Sequence, residues 1–171
     1  MAKQDLSEKA LIGKADVFAD IINTLVGKGS EIVKAQNLIS PNTELIHFNN
    51  EQWELKDLFR DICKKDIQNN RIYTIWGIEN QQSIDYTMPL RCMGYDYNTY
   101  QQQKEELLDK RKQEFGSDKS GKRNRKVHFR KSDKLAPVIT LVLYWGKNWD
   151  TPRSLHDMLS IPKEISQLER V

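Results

Sequence analysis

Val17, Phe18, Ile21, Ile22, Leu25 and Val26 recur at helical spacing and the pattern stops at Gly27 and Gly29, which predicts an amphipathic helix over 15–26. Asp16 and Asp20 sit one turn apart on its flank. After Pro41 a short ELIHF stretch has no clear period. In EQWELKDLFRDICKKDI two readings compete. Leu55, Leu58, Phe59 and Ile62 keep helical spacing, whereas a strand must carry Arg60 and Ile62 on one face and Asp61 on the other, so the pattern alone slightly favours a helix. RIYTIWGI (71–78) is dense in β-branched and aromatic residues and follows a turn-like DIQNN, the mark of a strand leaving a hairpin loop. On that strand Glu79 and Gln81 share a face with Tyr73, Ile75 and Gly77, while Asn80 points the other way. PVITLVLYWG (137–146) is apolar throughout and reads as a strand buried on both faces of a sheet covered by helices. Between the two strands Pro89 suits the first turn of a helix with an apolar stripe of Leu90, Met93, Tyr97 and Tyr100; QQQKEELLDKRKQ extends it and Gly116 ends it. The order helix, strand pair, helix, strand predicts a small α/β domain of two or three layers.

Composition narrows the class. The 171 residues suit a single domain over 1–171, and with 38% hydrophobic residues a packed core is possible. The start MAKQDLSEKA has no apolar run and no long uncharged apolar stretch follows, so the chain reads as cytoplasmic, without signal peptide or membrane span. Cys63 and Cys92 stand singly, as do His47, His128 and His156, which argues against a zinc site, a disulfide framework or Cys-His catalysis. The cysteines read as small packing residues. Charge is informative by position: residues 101–134 hold 12 Lys/Arg against 6 acids, whereas the rest holds 15 against 18. A basic segment on a mildly acidic body suits a protein that meets a polyanion with one part and holds divalent cations with another. GSDKSGKRNRK alone, with Gly and Ser and no aromatics, reads rather as a solvated, variable connector within about 113–134.

Neither G-x-G-x-x-G, nor G-x-x-x-x-G-K-[ST], nor a G-x-S-x-G elbow is present. What remains is Glu79, a carboxylate at the end of a buried strand, which either surfaces into solvent or needs a cation to meet it. Asp61, on the other arm of the hairpin, is the natural second carboxylate. Two carboxylates a few Å apart form a hard oxygen site suited to Mg²⁺, the minimal apparatus for metal-assisted phosphodiester hydrolysis.

The runs R-D-I (60–62), G-I-E-N-Q (77–81), M-P-L-R-C-M-x-Y-D (88–96), P-V-I-T-L-V-L-Y-W-G (137–146) and W-D-x-P-R-S-L-H-D-M-L (149–159), with FADIIN at 18–23, closely resemble the Rpn family, recombination-promoting nucleases also described as PD-(D/E)XK nuclease-family transposases. The resemblance runs in order over roughly 18–160. It implies a restriction-endonuclease-like core, a mixed β-sheet flanked by helices in which acids of strands two and three bind Mg²⁺. It implies a strand, not a helix, around 58–64. Asp61 takes the place of the motif's first Asp and Glu79 that of its second acid, both as metal ligands, and Gln81 stands where Lys is usual. An amide has no ionisable group, so Gln81 can orient water but can neither act as general base nor supply charge. Asp20, with Asp16 competing, is a candidate for an extra helical acid.

Arg91 and Tyr95 match the family's R-x-x-x-Y, with Arg91 either a phosphate contact or half of a structural ion pair. Lys122, Arg123, Arg125 and Lys126 are candidate contacts to a nucleic-acid backbone. Gly77 either lets such a backbone approach or bends the strand. Trp53, Trp145 and Trp149 read as core or edge packing rather than base-stacking platforms. The chain stops at Val171, where family members commonly run on, and reads as a short or truncated member. The activity implied is a Mg²⁺-dependent DNA endonuclease promoting recombination, with DNA and a second copy of the chain as partners, and neither a membrane nor a small-molecule cofactor. The alternative is a catalytically silent member that binds nucleic acid or regulates a longer form by dimerisation; RNA stays open as a substrate.

Overall fold

Asn69 and Asn70 both take left-handed backbone (φ 51° and 59°), the conformation a two-residue hairpin demands and one that Asn tolerates better than most residues. They join β2 (Ile62–Gln68) to β3 (Arg71–Gln81) in the computed structural model, which describes residues 2–41, 61–116 and 127–162. Among the described residues the sheet has four strands in the order β1-β2-β3-β4, with β1 (Leu38–Ile39) antiparallel to β2, β2 antiparallel to β3, and β4 (Val138–Tyr144) parallel to β3. A parallel neighbour needs a crossover, and α3 (Met88–Gly116) supplies it. α1 (Ala2–Ile12) and α2 (Ala15–Leu25) precede the sheet.

Helices on both faces make this a mixed, helix-flanked α/β sheet. Phe18, Ala19 and Ile22 of α2 pack with Ile12, Val33, Leu38, Trp76 and Ile78, and Ile62, Leu141 and Leu143 adjoin the same cluster. That core lies on the face of β3 that carries Trp76, Ile78 and Asn80. The opposite face carries Ile75, Gly77 and Glu79 and meets α3. The helix predicted over 15–26 is thus present. Its stop is steric, because a Cβ on Gly27 would lie 2.4 Å from the Ser30 carbonyl oxygen and 2.7 Å from that of Asn23, and Gly29 adopts φ +87°. Asn23 then fixes the return: Oδ1 accepts from the Ile32 and Val33 amides and Nδ2 donates to the Val33 carbonyl.

Five expectations need correction. The stripe of Leu90, Met93 and Tyr97 on α3 is exposed, at 44%, 51% and 60%, and the helix buries Met88, Tyr95 and Gln103 instead. The helical spacing around Ile62 gives way to strand from Ile62 onward, because pairing with β3 runs from Ile62↔Ile78 to Gln68↔Arg71; residues 51–60, with Trp53, Leu55, Leu58 and Phe59, lie outside the described residues. A bulge near Asp66 leaves Tyr73 without a cross-strand partner and 61% exposed, so the face shared with Glu79 begins at Ile75 rather than Tyr73. β4 is not buried on both faces. It is the sheet's last strand, and after Val138 its residues are at most partly covered, Ile139 being 36% exposed. Trp145 is 61% exposed and no core residue, although its Nε1 donates to Asn80 Oδ1 (2.5 Å); Trp149 does pack at the edge, its ring centroid 5.0 Å from that of Tyr144.

The polar extension of α3 has a structural use. Asp96 accepts from Thr140 Oγ1 (2.7 Å), Tyr100 Oη from the Val138 amide (3.1 Å), and Gln103 exchanges two hydrogen bonds with the backbone of Ala136. These side chains recur at i, i+4 and i+7, so one stripe of the helix seats the chain entering β4. No helix among the described residues is long and apolar enough to cross a membrane.

Candidate active site

Glu79 does not surface into solvent. It lies near the end of β3 with 2% of its surface exposed, facing α3, where an ionised carboxylate is costly unless partners compensate. The partners are present. Oε1 accepts from Arg91 Nη2 (2.5 Å), Gln81 Nε2 (2.9 Å) and Tyr95 Oη (3.3 Å), and Oε2 accepts from the Asp61 amide (3.2 Å). Asp61, just ahead of β2, answers with Oδ2 on the Asn80 amide (2.9 Å) and pairs through Oδ1 with Lys9 of α1 (2.8 Å). Each carboxylate thus binds the backbone of the other's segment, and the hairpin register, which ends at Ile62↔Ile78, brings the two acids alongside.

Arg91 organises the α3 side. Asp85 Oδ1 accepts from the Thr87 amide (2.8 Å), fixing the entry to the helix, and its Oδ2 takes Arg91 Nη1 (2.6 Å). Arg91 also donates through Nε (3.0 Å) and Nη2 (2.7 Å) to Tyr95, a residue 1% exposed. The spacing of four residues places both on one helical face over Glu79. The Glu79 carboxyl titrates above its ordinary range: burial is the largest cause, the neighbouring Asp61 charge adds to it, and Arg91 and the Asp61 amide oppose it. Tyr95 is likewise raised by burial and the Glu79 charge, and Asp85 is lowered because its hydrogen bonds from Arg91 and Thr87 outweigh desolvation.

Asp61, Glu79, Gln81, Arg91 and Tyr95 therefore form one cluster. Asp16 and Asp20 are exposed on α2, which packs on the opposite face of the sheet from Glu79. Gly77 is buried and pairs in register with Cys63, so a nucleic-acid backbone does not reach it in this arrangement. Lys122, Arg123, Arg125 and Lys126 lie outside the described residues. Part of the local positive charge is consumed internally, since Arg111 pairs with Asp133 and Lys112 with Asp109. The half-buried Cys63 and Cys92 form no disulfide.

Sequence reasoning missed α1 and the two residues it contributes. Glu8 Oε2 accepts from Asn80 Nδ2 and Gln82 Nε2 (both 3.1 Å), and Lys9 reaches Asp61. α1 has no apolar stripe to announce it, with Leu6 67% and Leu11 52% exposed and Ile12 alone entering the core. The adjacent charged pair at 8–9 was the available signal. An open groove of about 880 Å³ lies between α3, β4 and residues 149–155, but neither Asp61 nor Glu79 lines it.

Among the described residues no group of three or more His, Cys, Asp or Glu side chains is placed to hold a metal. A pair is what remains, and its oxygens have capacity: Glu79 Oε2 takes the Asp61 amide, Asp61 Oδ2 the Asn80 amide and Asp61 Oδ1 the Lys9 ammonium, and each of these oxygens has a second lone pair. That donor set fits Mg²⁺, which takes one or two carboxylates and keeps its waters. No protein-family model, curated protein or solved structure matches the chain.

Proposed function

We propose that the chain is a Mg²⁺-dependent phosphodiesterase acting on DNA, a member of the Rpn nucleases with a restriction-endonuclease-like core. The observation that carries this reading is the Asp61–Glu79 pair, joined by reciprocal backbone hydrogen bonds across the start of β2 and the end of β3. The helix-flanked mixed sheet and the position of the acids, one just ahead of the second strand and the other near the end of the third, are in keeping with it.

Asp61 and Glu79 would hold the ion, which when bound supplies Lewis acidity toward water and a non-bridging phosphate oxygen. Arg91, Gln81 and Tyr95 occupy Glu79 Oε1 and thereby aim Oε2 toward Asp61. Gln81 orients the attacking water through its amide. The basic excess over 101–134 draws the polyanion, so affinity should fall steeply with salt.

Plasmid nicking tests the reading. Wild type should nick supercoiled DNA with Mg²⁺ and not with EDTA, and Glu79→Ala should reduce nicking to background. Equal cleavage by both proteins would remove Glu79 from the mechanism. Absence of cleavage by wild type with Mg²⁺ or Mn²⁺ would favour a silent, nucleic-acid-binding or dimerising member. That second reading has its own support, because Arg91, Gln81, Tyr95 and Lys9 already engage the two carboxylates within the protein.

A further inference from the structure

We infer that Lys9 is the working cation of this site: its ammonium meets the scissile phosphate and supplies the positive charge that Gln81 lacks. The inference rests on the phosphodiesterase reading and deepens it.

Among the described residues two cations reach the carboxylate pair, Lys9 on Asp61 and Arg91 on Glu79. Arg91 is committed through Nε, Nη1 and Nη2 to Tyr95, Asp85 and Glu79. Withdrawing it would strand Glu79 and Tyr95, which are 2% and 1% exposed. Lys9 stands 2.8 Å from Asp61 Oδ1, and Asp61, with its side chain 18% exposed against 2% for Glu79, is the more open of the two acids, so Lys9 pairs with the more accessible carboxylate. A lysine ammonium is a compact, rotatable point charge that exchanges one oxyanion for another without losing a fork of bonds, whereas a guanidinium engaged on several sides does not.

The fold presents Lys9 there by construction. Glu8 anchors its turn of α1 to Asn80 and Gln82 at the end of β3, and Ile12, four residues on and on the same helical face, is buried in the core. Lys9, one residue round the helix from Glu8, is thereby turned toward Asp61. Gln81, on the Glu79 face, donates an amide hydrogen to Glu79 and contributes no charge. In the hydrolysis the water oxygen forms the new P–O bond as the bridging P–O ester bond breaks. The water's proton passes to solvent, the departing alkoxide takes one from solvent, and Lys9 stays protonated throughout. Its contribution is electrostatic, offsetting charge that grows on the phosphoryl oxygens.

The test uses the full chain on supercoiled plasmid with Mg²⁺, reading rate at saturating DNA, KM and melting temperature for wild type, K9Q, K9R, E79A and the double variant K9Q/Q81K. Lys9→Gln should lower the saturating rate by about 10²-fold with an unchanged melting temperature, on the scale of losing one preorganised donor to a transition-state oxyanion. Lys9→Arg should retain a substantial part of the rate, and Q81K should restore cleavage to K9Q by returning the charge from the β3 side. The inference is overturned if K9Q cleaves like wild type while E79A is inactive, an outcome that leaves the nuclease reading standing. A loss confined to KM, or a loss with lowered melting temperature that neither K9R nor Q81K relieves, also overturns it, since Lys9 would then attract DNA or hold α1. If E79A matches wild type, or wild type does not cleave, the nuclease reading fails and this assignment fails with it.

Discussion

α3 carries two arginine–carboxylate pairs about 30 Å apart along the helix, and they behave in opposite ways. Arg111 grips Asp133 with two bonds, one of them Nη1 to Oδ2 at 2.7 Å, and Asp133 also accepts the Arg130 amide. The Arg111 hydrogen bond, above all, holds the Asp133 carboxyl down at about 2. Arg91 grips Glu79 just as closely, yet Glu79 titrates above its ordinary range, because burial and the adjacent Asp61 charge outweigh the guanidinium. The first pair stabilises the native state by being ionised. The second buries its acid beside a like charge, where ionisation costs stability despite the guanidinium.

The largest effect should come from separating the costly pair. Arg91→Met leaves Glu79, Asp85 and Tyr95 without their shared donor, and breaking a buried ion pair costs about 3 kcal/mol here, the low end of the range because the guanidinium is a third exposed. Urea denaturation at pH 7 measures this loss. Adding Glu79→Gln should recover most of it, since the stranded charge is then absent. If the double variant is no more stable than Arg91→Met alone, uncompensated charge is not the source of the loss.

Glu79→Gln by itself should move stability the other way and by less. A carboxyl whose pKa is raised by folding binds its proton more tightly in the native state than in the unfolded chain. Its ionised form is therefore a native-state penalty, absent below the unfolded pKa and fully present above the folded one. Replacing it with an uncharged amide should leave the melting temperature at pH 7 equal to or above that of wild type, and the advantage should vanish as the pH drops below the ordinary Glu range. Thermal melts at pH 7 and pH 3.5 decide it. A clear loss at pH 7 would show that the hydrogen bonds from Arg91, Tyr95 and the Asp61 amide outweigh desolvation.

The same contrast explains what could be read from the chain. β3, the crossover helix and the Asn-Asn hairpin follow from local signals: a β-branched aromatic run, a proline in a first helical turn, and paired residues that tolerate positive φ. The alternation after Ile75 correctly placed Glu79 and Gln81 together, and a strand pair gave Asp61 as the partner. β2 was obscured because ICKKDIQ turns Lys64 and Asp66 toward the apolar core, Lys64 lying over the Phe18 ring at 5.7 Å and bonding Ser40. α1 was invisible because it is held by Ile12 and by polar contacts to β3 and Asp61, which leave no periodic trace. Tertiary partners, not local preference, decide both segments.

The smallest effect belongs to the stabilising pair. Arg111–Asp133 joins the end of α3 to the loop that leads into β4, so its loss should loosen that loop without unfolding the sheet. For a carboxyl lowered by folding the sign reverses: the native state holds the proton more weakly, so the contribution is present above the ordinary Asp pKa and fades as the pH falls toward about 2. Asp133→Asn should therefore speed amide exchange at Ala136 and Val138, whose N–H groups are held by Gln103 and Tyr100, at pH 5 and above. Near pH 2 wild type and variant should exchange alike. Equal exchange at pH 5 would mean that the Gln103 and Tyr100 bonds seat the β4 entry without the ion pair, and that the two arginines of α3 differ in geometry but not in their service to stability.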